Sequence, residues 1–352
     1  MSHPIVRSDR LHAMFAMLTA LSDSAILEII QGYETGEIQE QSVLKAFKAL
    51  TEVAPCLPDT FITPVSRVGI VGASSVTTAY WPYLILATAL GIRVKIKMPP
   101  LDVHHIAILS EIISLASDRK SVGDLDYCCD WDVSIQPGLD LVDHGYWDDC
   151  DRLLVFGTDA SVDHYRHKFP EPGRIIGFGH IESVTLVTLD SLQADSRWID
   201  DLLAFGHVGC LAPRVVIPIE DTSAEAIAKY MSARLHGLVS PDIARAVTLR
   251  SKFHSLRVAG TDAWLSQDGM WLISDNDSLP SSAISGHLNI ISWNTLVTSG
   301  CIIGALSTPF FSDDLSLGLY PAAAWKCAWG MAQFPTMLWA NGGIPLIASL
   351  FR

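Results

Sequence analysis

Apolar residues recur with helical spacing in the first fifty residues. Leu11, Met14, Phe15 and Leu18 fall at i, i+3, i+4 and i+7, and Leu21 continues the face. Ser22, Asp23 or Ser24 can cap a second helix, and Gln41 to Val53 repeats the pattern. The texture changes at Ser66. Arg67-Val68-Gly69-Ile70-Val71 is an apolar run that exits through Gly72-Ala73-Ser74-Ser75, as a strand covered on both faces does. Ala79 to Leu90 predicts a buried helix stopped by Gly91, and Ile92 to Lys97 a second strand. Asp102 to Ala116 predicts a helix. Asp132 to Ile135, Asp151 to Thr158 and Arg174 to Ile176 predict further strands. Strands alternating with helices imply βαβ units and a mostly parallel sheet. Its small-residue exits at 72–75, 157–159 and 177–179 lie beyond the strand carboxyl ends, where such sheets bind ligands.

The pattern differs after residue 183. A β-branched run, Val184 to Leu189, is followed by a polar segment to Asp200, then by Phe205-Gly206-His207-Val208-Gly209-Cys210-Leu211-Ala212-Pro213. Gly206 and Gly209 permit φ values that other residues avoid, and Pro213 suits the approach to a strand. The prediction is a bent loop feeding the strand Arg214 to Ile219, with a thiol on the bend. Cys210 then reads either as a nucleophile or as a small buried hydrophobe. Ser223 to Leu238 predicts a helix with Ile227, Met231 and Leu235 on one face. Trp271 to Ile273 and Leu288 to Ser292 predict strands, and the tail from Ala323 is rich in aromatic and small residues.

Composition narrows the function classes. The 352 residues are 49% hydrophobic and 18% charged, with net charge −14, so a substantial core is available and no basic block offers a nucleic-acid surface. Seven cysteines, irregularly spaced and including the adjacent pair Cys128-Cys129, do not form a disulfide framework or a zinc spacing. No apolar run reaches the length of a membrane span, and no signal-peptide pattern opens the chain. A reduced, cytoplasmic protein is the expectation. Gly72 to Val76 lacks the last glycine of a G-x-S-x-G elbow. Gly177-Phe178-Gly179 does not continue as G-x-G-x-x-G, and no P-loop is present.

The order of these pieces carries a resemblance. The strand, loop, helix and strand from Val68 to Lys97 come first, then Phe156-Gly157-Thr158, Gly177-Phe178-Gly179-His180 and Gly209-Cys210-Leu211-Ala212-Pro213. With the tail Cys327 to Pro335, Trp339, Gly342-Gly343, Pro345 and Leu350, they resemble the acyl-CoA reductase branch of the aldehyde dehydrogenase superfamily. That branch includes the fatty-acid reductase of bacterial luminescence. The resemblance covers roughly residues 60 to 352. It implies an α/β fold: a Rossmann-type cofactor domain with a parallel sheet, here 1–183 with the N-terminal helices, and a second α/β catalytic domain, 184–325. The tail, 326–352, would close a domain or serve oligomerisation, and a homo-oligomer is expected.

By the same resemblance Cys210 matches the family nucleophile, attacking an acyl thioester and holding the acyl group until hydride arrives. Lys97 matches the lysine on the adenosine ribose, or else is a solvated strand-end residue. Gly72, Ser74, Gly157, Thr158, Gly177 and Gly179 match cofactor-binding turns. Gly177 stands where the oxidising members carry a water-activating glutamate, while Glu182 lies on the other side of the turn. His180 is either a proton donor to the collapsing thiohemiacetal or a structural histidine. Ser74 and Ser75 replace the oxyanion asparagine, which shifts that work to Ser75 and the Cys210 N–H. The nicotinamide-ribose glutamate has no counterpart. The implied activity is NAD(P)H-dependent reduction of an acyl-CoA or acyl-carrier-protein thioester to an aldehyde. Lys97, with no acid before Asp102, favours NADPH, with NADH as the other possibility. Alternatives are a non-catalytic subunit that binds an acyl-carrying partner, and a Cys210-dependent acyltransferase or thioesterase.

Overall fold

The computed structural model describes the chain from Ile5 to Pro345 except for 34–36, 53, 55–59, 63–64, 73–75, 98–102, 119–130, 135–144, 220–221, 277, 280–283, 300, 310–324, 338–339 and 342–343. It divides into two compact units, Met1–His180 with Phe334–Arg352, and Ile181–Gln333.

The first unit opens with three helices, Ser8–Thr19, Asp23–Gln31 and Glu37–Glu52. Leu11, Met14, Phe15, Leu18 and Leu21 are all buried, as their spacing predicts. Of the three candidate caps, Ser22 accepts the Ala25 N–H through its hydroxyl. A five-stranded parallel sheet follows, in the order Trp131–Ser134, Arg93–Lys97, Arg67–Val71, Arg152–Phe156, Ile175–Phe178. Its strands lie within a few residues of the predicted spans. The Trp81–Leu90 helix is buried on every side, and this suits its lack of any polar face. Pro82 sits in its first turn, where a missing N–H costs no helical bond, and Gly91 ends it at φ 69°. Close packing also fixes Gly69. A Cβ there would lie 2.4 Å from Leu153 Cδ2 and 2.7 Å from the Trp147 ring.

The second unit is built on a seven-stranded sheet. Its order is Ala263–Leu265, Leu272–Asp275, His287–Ile290, Val215–Pro218, Glu182–Val187, Ile303–Thr308, Trp325–Ala328. Only the first pair is antiparallel. Trp271, Met231, Leu235, Ile227 and Trp329 pack on one side of it with Trp198 and Leu202.

Four elements depart from the sequence reading. The polar stretch after Leu189 is two short helices, Leu189–Ala194 and Arg197–Leu203. A reciprocal cap between Thr188 and Ser191 starts the first, and Trp198 and Leu202, one turn apart, bury the second. The Ile243–Val258 helix has no clear apolar face in the sequence, because its apolar residues are split. Leu249 and Leu256 are buried, while Ile243, Val247 and Val258 are exposed. The fully buried Ile303–Thr308 strand contains Gly304 and three small residues, too little bulk to stand out as a β-run.

Among the described residues, no single helix is long and apolar enough to cross a membrane. Arg10–Thr19 and Asp23–Gln31 pass together only as a pair bent by 84°.

Asp201, in the second unit, is 1% exposed. It accepts the Ala332 N–H at 2.8 Å, and the Gln333 amide donates to the Asp201 and Ala204 carbonyls. Burial pushes its carboxyl up to about 7, against the Ala332 and Gly330 amides and the Ser307 hydroxyl, which favour the anion. A carboxyl raised on folding costs stability as pH climbs from its unfolded value towards the folded one. Asp201→Asn is therefore expected to remove a loss of about 1.4 kcal/mol per pH unit between pH 4 and 7. Urea unfolding of both proteins at pH 5 and pH 8 measures it: the variant gains on wild type at pH 8 relative to pH 5.

Candidate active site

The cysteine loop leaves the Arg197–Leu203 helix through three consecutive left-handed residues, Phe205 (φ 50°), Gly206 (φ 64°) and His207 (φ 63°). Glycine adopts that geometry freely, but each of the other two incurs roughly 1–2 kcal/mol. The sequence placed the bend on Gly206 and Gly209. Only Gly206 has positive φ, and Phe205 and His207 share the bend because tertiary contacts hold them there. His207 is fully buried. The Gly286 N–H donates to its Nδ1 at 2.9 Å, which leaves Nε2 to donate to the Pro213 carbonyl at 3.0 Å. The ring thus ties the entry of the loop to its exit, and Trp271 packs edge-on to it at 5.2 Å. The Ser285 hydroxyl donates to the Gly206 carbonyl at 3.0 Å. At the tip, the Ser183 hydroxyl donates to the Cys210 carbonyl at 2.8 Å and accepts the Ala305 N–H at 3.2 Å.

Cys210 is half-buried at this tip, and both readings open from sequence, nucleophile and small buried hydrophobe, remain compatible with that burial. Desolvation pushes its thiol up. The Arg214 charge and the amides of Cys210 and Leu211, which face the sulfur, act the other way. Arg214, 6% exposed, and Glu182, 3% exposed, stand close by at the starts of adjacent parallel strands. Burial pulls the Arg214 guanidinium down, and the Glu182 and Cys210 charges support it. Sequence reasoning passed over Ser183, His207 and Arg214. The one signal in the sequence is a cation at the head of an otherwise apolar strand. Cys150 and Cys327 are buried, with thiols pushed up by burial.

The other candidates lie in the first unit. Gly72, Lys97, Gly157 and Thr158 stand at the carboxyl ends of three adjacent parallel strands, where the Gly72 N–H donates to the Lys97 carbonyl at 2.9 Å. Thr158 caps the Asp159–Lys168 helix, accepting the Ser161 N–H at 3.2 Å. Strand order reverses at Arg67–Val71, and this crevice is where doubly wound sheets take nucleotides. A helix N-terminus, a lysine and small residues form a donor set that fits an anionic dinucleotide. Asp159, the acid in the first turn, accepts the His180 N–H at 2.9 Å. Gly177 and Gly179 have no room for a side chain. A Cβ at 177 would lie 2.1 Å from Val162 Cγ1, and one at 179 would lie 2.1 Å from Asp159 Oδ1. Their smallness thus serves packing of the Asp159–Lys168 helix. His180 is exposed. Ser74 and Ser75 lie outside the described residues. Among the described residues, no group of three His, Cys, Asp or Glu side chains could hold a metal ion.

Burial pulls His207 down to about 3 from 6.5, so it is neutral in the fold at pH 7. A base depressed on folding contributes stability that is complete above its unfolded value and is lost as pH falls below it. Wild-type stability is expected to carry a His207-dependent loss from pH 6.5 downward that is missing in His207→Ala. At pH 7.5 the variant is expected to be less stable by about 2 kcal/mol or more, with the Gly286 amide and Pro213 carbonyl left unpaired. Denaturant unfolding across pH, with hydrogen exchange at Gly286, checks both.

No family model and no curated protein sequence matches the chain, but solved structures do. Methylmalonate-semialdehyde dehydrogenase from Oceanimonas doudoroffii superposes with a TM-score of 0.68 and 13% identity, over 98% of this chain and 84% of that one. Succinic semialdehyde dehydrogenase from Streptococcus pyogenes, in complex with NADP+, gives 0.62 and 11%, over 90% and 80%. A lactaldehyde dehydrogenase gives 0.61 and 10%, over 91% and 78%. At these identities the likeness is one of fold, and it agrees with the parallel sheet of one unit and the mixed sheet of the other. The chain has an aldehyde dehydrogenase-like α/β fold.

Proposed function

We propose that the chain is a nicotinamide-dependent oxidoreductase that reduces an acyl thioester to an aldehyde through a covalent intermediate on Cys210. The observation that carries the direction of the reaction is the contact at Gly177. By resemblance this position holds the water-activating glutamate of oxidising enzymes. Here Val162, buried in the core of the first unit, occupies the space within 2.1 Å of where a Cβ would stand. The position carries no carboxylate base and has no room for one, which favours reduction over hydrolysis as the fate of an acyl-enzyme.

The chemistry suits a thiol. The Cys210 thiolate attacks the carbonyl carbon, forming a new C–S bond. The bond to the carrier thiol breaks, and the departing thiolate takes up a proton. A reduced nicotinamide, when bound, supplies the hydride that takes the enzyme thioester to a thiohemiacetal. Cys210 then leaves as a thiolate and the aldehyde is released. Sulfur serves both ends because it is a strong nucleophile and a good leaving group. The amides of Cys210 and Leu211, facing the sulfur, stabilise negative charge at the loop tip. The Gly157-Thr158 turn and the helix N-terminus it opens would hold the cofactor's phosphates, and Lys97 its ribose, with NADPH favoured over NADH by that lysine. The acyl donor is CoA or an acyl-carrier protein.

The test is NADPH and NADH consumption with a panel of acyl-CoA and acyl-carrier thioesters, wild type beside Cys210→Ala. Consumption that falls by three orders of magnitude or more in the variant supports the proposal. Intact mass without nicotinamide should show an acyl adduct on Cys210 that outlives the free thioester. An adduct with no nicotinamide consumption would turn the reading to acyl transfer. No adduct with any donor would turn it to a non-catalytic subunit.

A further inference from the structure

Arg214 has more holding it than a strand-leading residue needs. Its N–H donates to the Ser183 carbonyl at 3.0 Å, and its carbonyl accepts the Asn289 N–H at 2.8 Å. The backbone is thereby fixed between two neighbouring strands. Its side chain is 6% exposed. Nη2 donates to the Val208 carbonyl, within the cysteine loop, at 3.3 Å. Nε is buried and has no hydrogen-bond partner among the described residues.

A buried guanidinium with an unused donor is a costly thing to keep. The sheet does not require it, because Val184 pairs with Val215 and Thr185 with Val216 through the backbone alone, and an apolar side chain would pack there at lower cost. What Arg214 does share is charge with its surroundings. Glu182, on the neighbouring strand, and Cys210, four residues back, are the groups whose negative charge favours its cation. The other ionisable group at the neck of the loop, His207, has both ring nitrogens committed and stays neutral. Arg245 points to the Gly206 carbonyl at 3.5 Å and the Met270 carbonyl at 3.1 Å.

We propose that Arg214 is a positioning residue for Cys210: its guanidinium, anchored on the Val208 carbonyl, stabilises the Cys210 thiolate, and Glu182 limits that stabilisation. The pair sets the pH at which the loop becomes nucleophilic. The inference rests on Cys210 being the nucleophile but not on the identity of its substrate. In a desolvated loop tip a cation is worth far more to a thiolate than in water, and a fixed arginine supplies it without itself exchanging a proton. The carboxylate partner keeps the buried cation affordable and tempers its field.

The experiment is the rate of Cys210 alkylation by iodoacetamide between pH 5 and 11, followed by peptide mass on the full chain. Wild type is compared with Arg214→Met, Arg214→Lys and Glu182→Gln. The expected midpoint rises by at least one pH unit in Arg214→Met, which at pH 7 is about a tenfold slower alkylation. Arg214→Lys should lie between it and wild type, and Glu182→Gln should fall below wild type. A purely structural arginine would not produce shifts of opposite sign. Coincident midpoints for wild type and Arg214→Met, or a lysine variant no closer to wild type than the methionine one, overturn the proposal. Should Arg214→Met not fold, Glu182→Gln decides: a lowered midpoint supports it, an unchanged or raised one overturns it. Alkylation needs neither thioester nor nicotinamide, so a failed reductase assay leaves this result standing.

Discussion

A neutral imidazole, fully buried and bonded at both nitrogens, holds the cysteine loop in a shape its own backbone resists. Two non-glycine residues in left-handed conformation, Phe205 and His207, cost roughly 2–4 kcal/mol together. The bonds from Gly286 to His207, from His207 to Pro213 and from Ser183 to the Cys210 carbonyl return about 1 kcal/mol each. Burial of Phe205 and Leu211 adds to that. The sum is near balance, so the loop persists because the sheet and the Trp271 core around it over-determine it. Strain kept in this way recurs at sites whose geometry must be ready before the ligand arrives. Here it holds a half-buried thiol on a fixed bend.

Charge is scarce in the interior of the second unit, and the charges that are there have work to do. Asp201 gathers the amides of the closing turn at Gly330 and Ala332, and Trp329 reaches Thr185 at 2.9 Å from the same turn. Glu182 and Arg214 stand under the cysteine loop instead. One set secures the chain's path and the other lies near the Cys210 thiol. The distinction lies in their partners: Asp201 meets backbone donors that an amide could also satisfy, while Arg214 bonds the Val208 carbonyl of the loop and lies within the electrostatic reach of Cys210.

Steric exclusion does the corresponding work in the first unit. Gly177 and Gly179 lie against Val162 and Asp159, so the turn that follows the last strand is shaped by the helix packed on it. The same contact that seats the helix denies the turn a carboxylate. A side chain at 177 would need room that Val162 fills.

Much of the architecture was legible in the sequence. Continuous apolar runs such as Arg67 to Val71 and Leu153 to Phe156 can only be strands covered on both faces. Pro82 and Gly91 bracket a helix by their backbone limits alone, and the helix predicted from Ser223 starts there, with Ser223 as its cap. The thiol on a bend could be placed because glycine and proline constrain the chain locally. What local pattern could not reveal is everything set by distant partners. His207 is held in left-handed φ with the help of a donor from Gly286, seventy-nine residues further on. Asp201 reads as solvated polar sequence and is buried because Ala332 comes to meet it. Glu182 and Arg214 are thirty-two residues apart and meet only because their strands lie side by side. Periodicity and turn chemistry are properties of neighbours along the chain, so they fix elements; charge pairing, burial and strain are properties of neighbours in space, and those the tertiary structure alone decided.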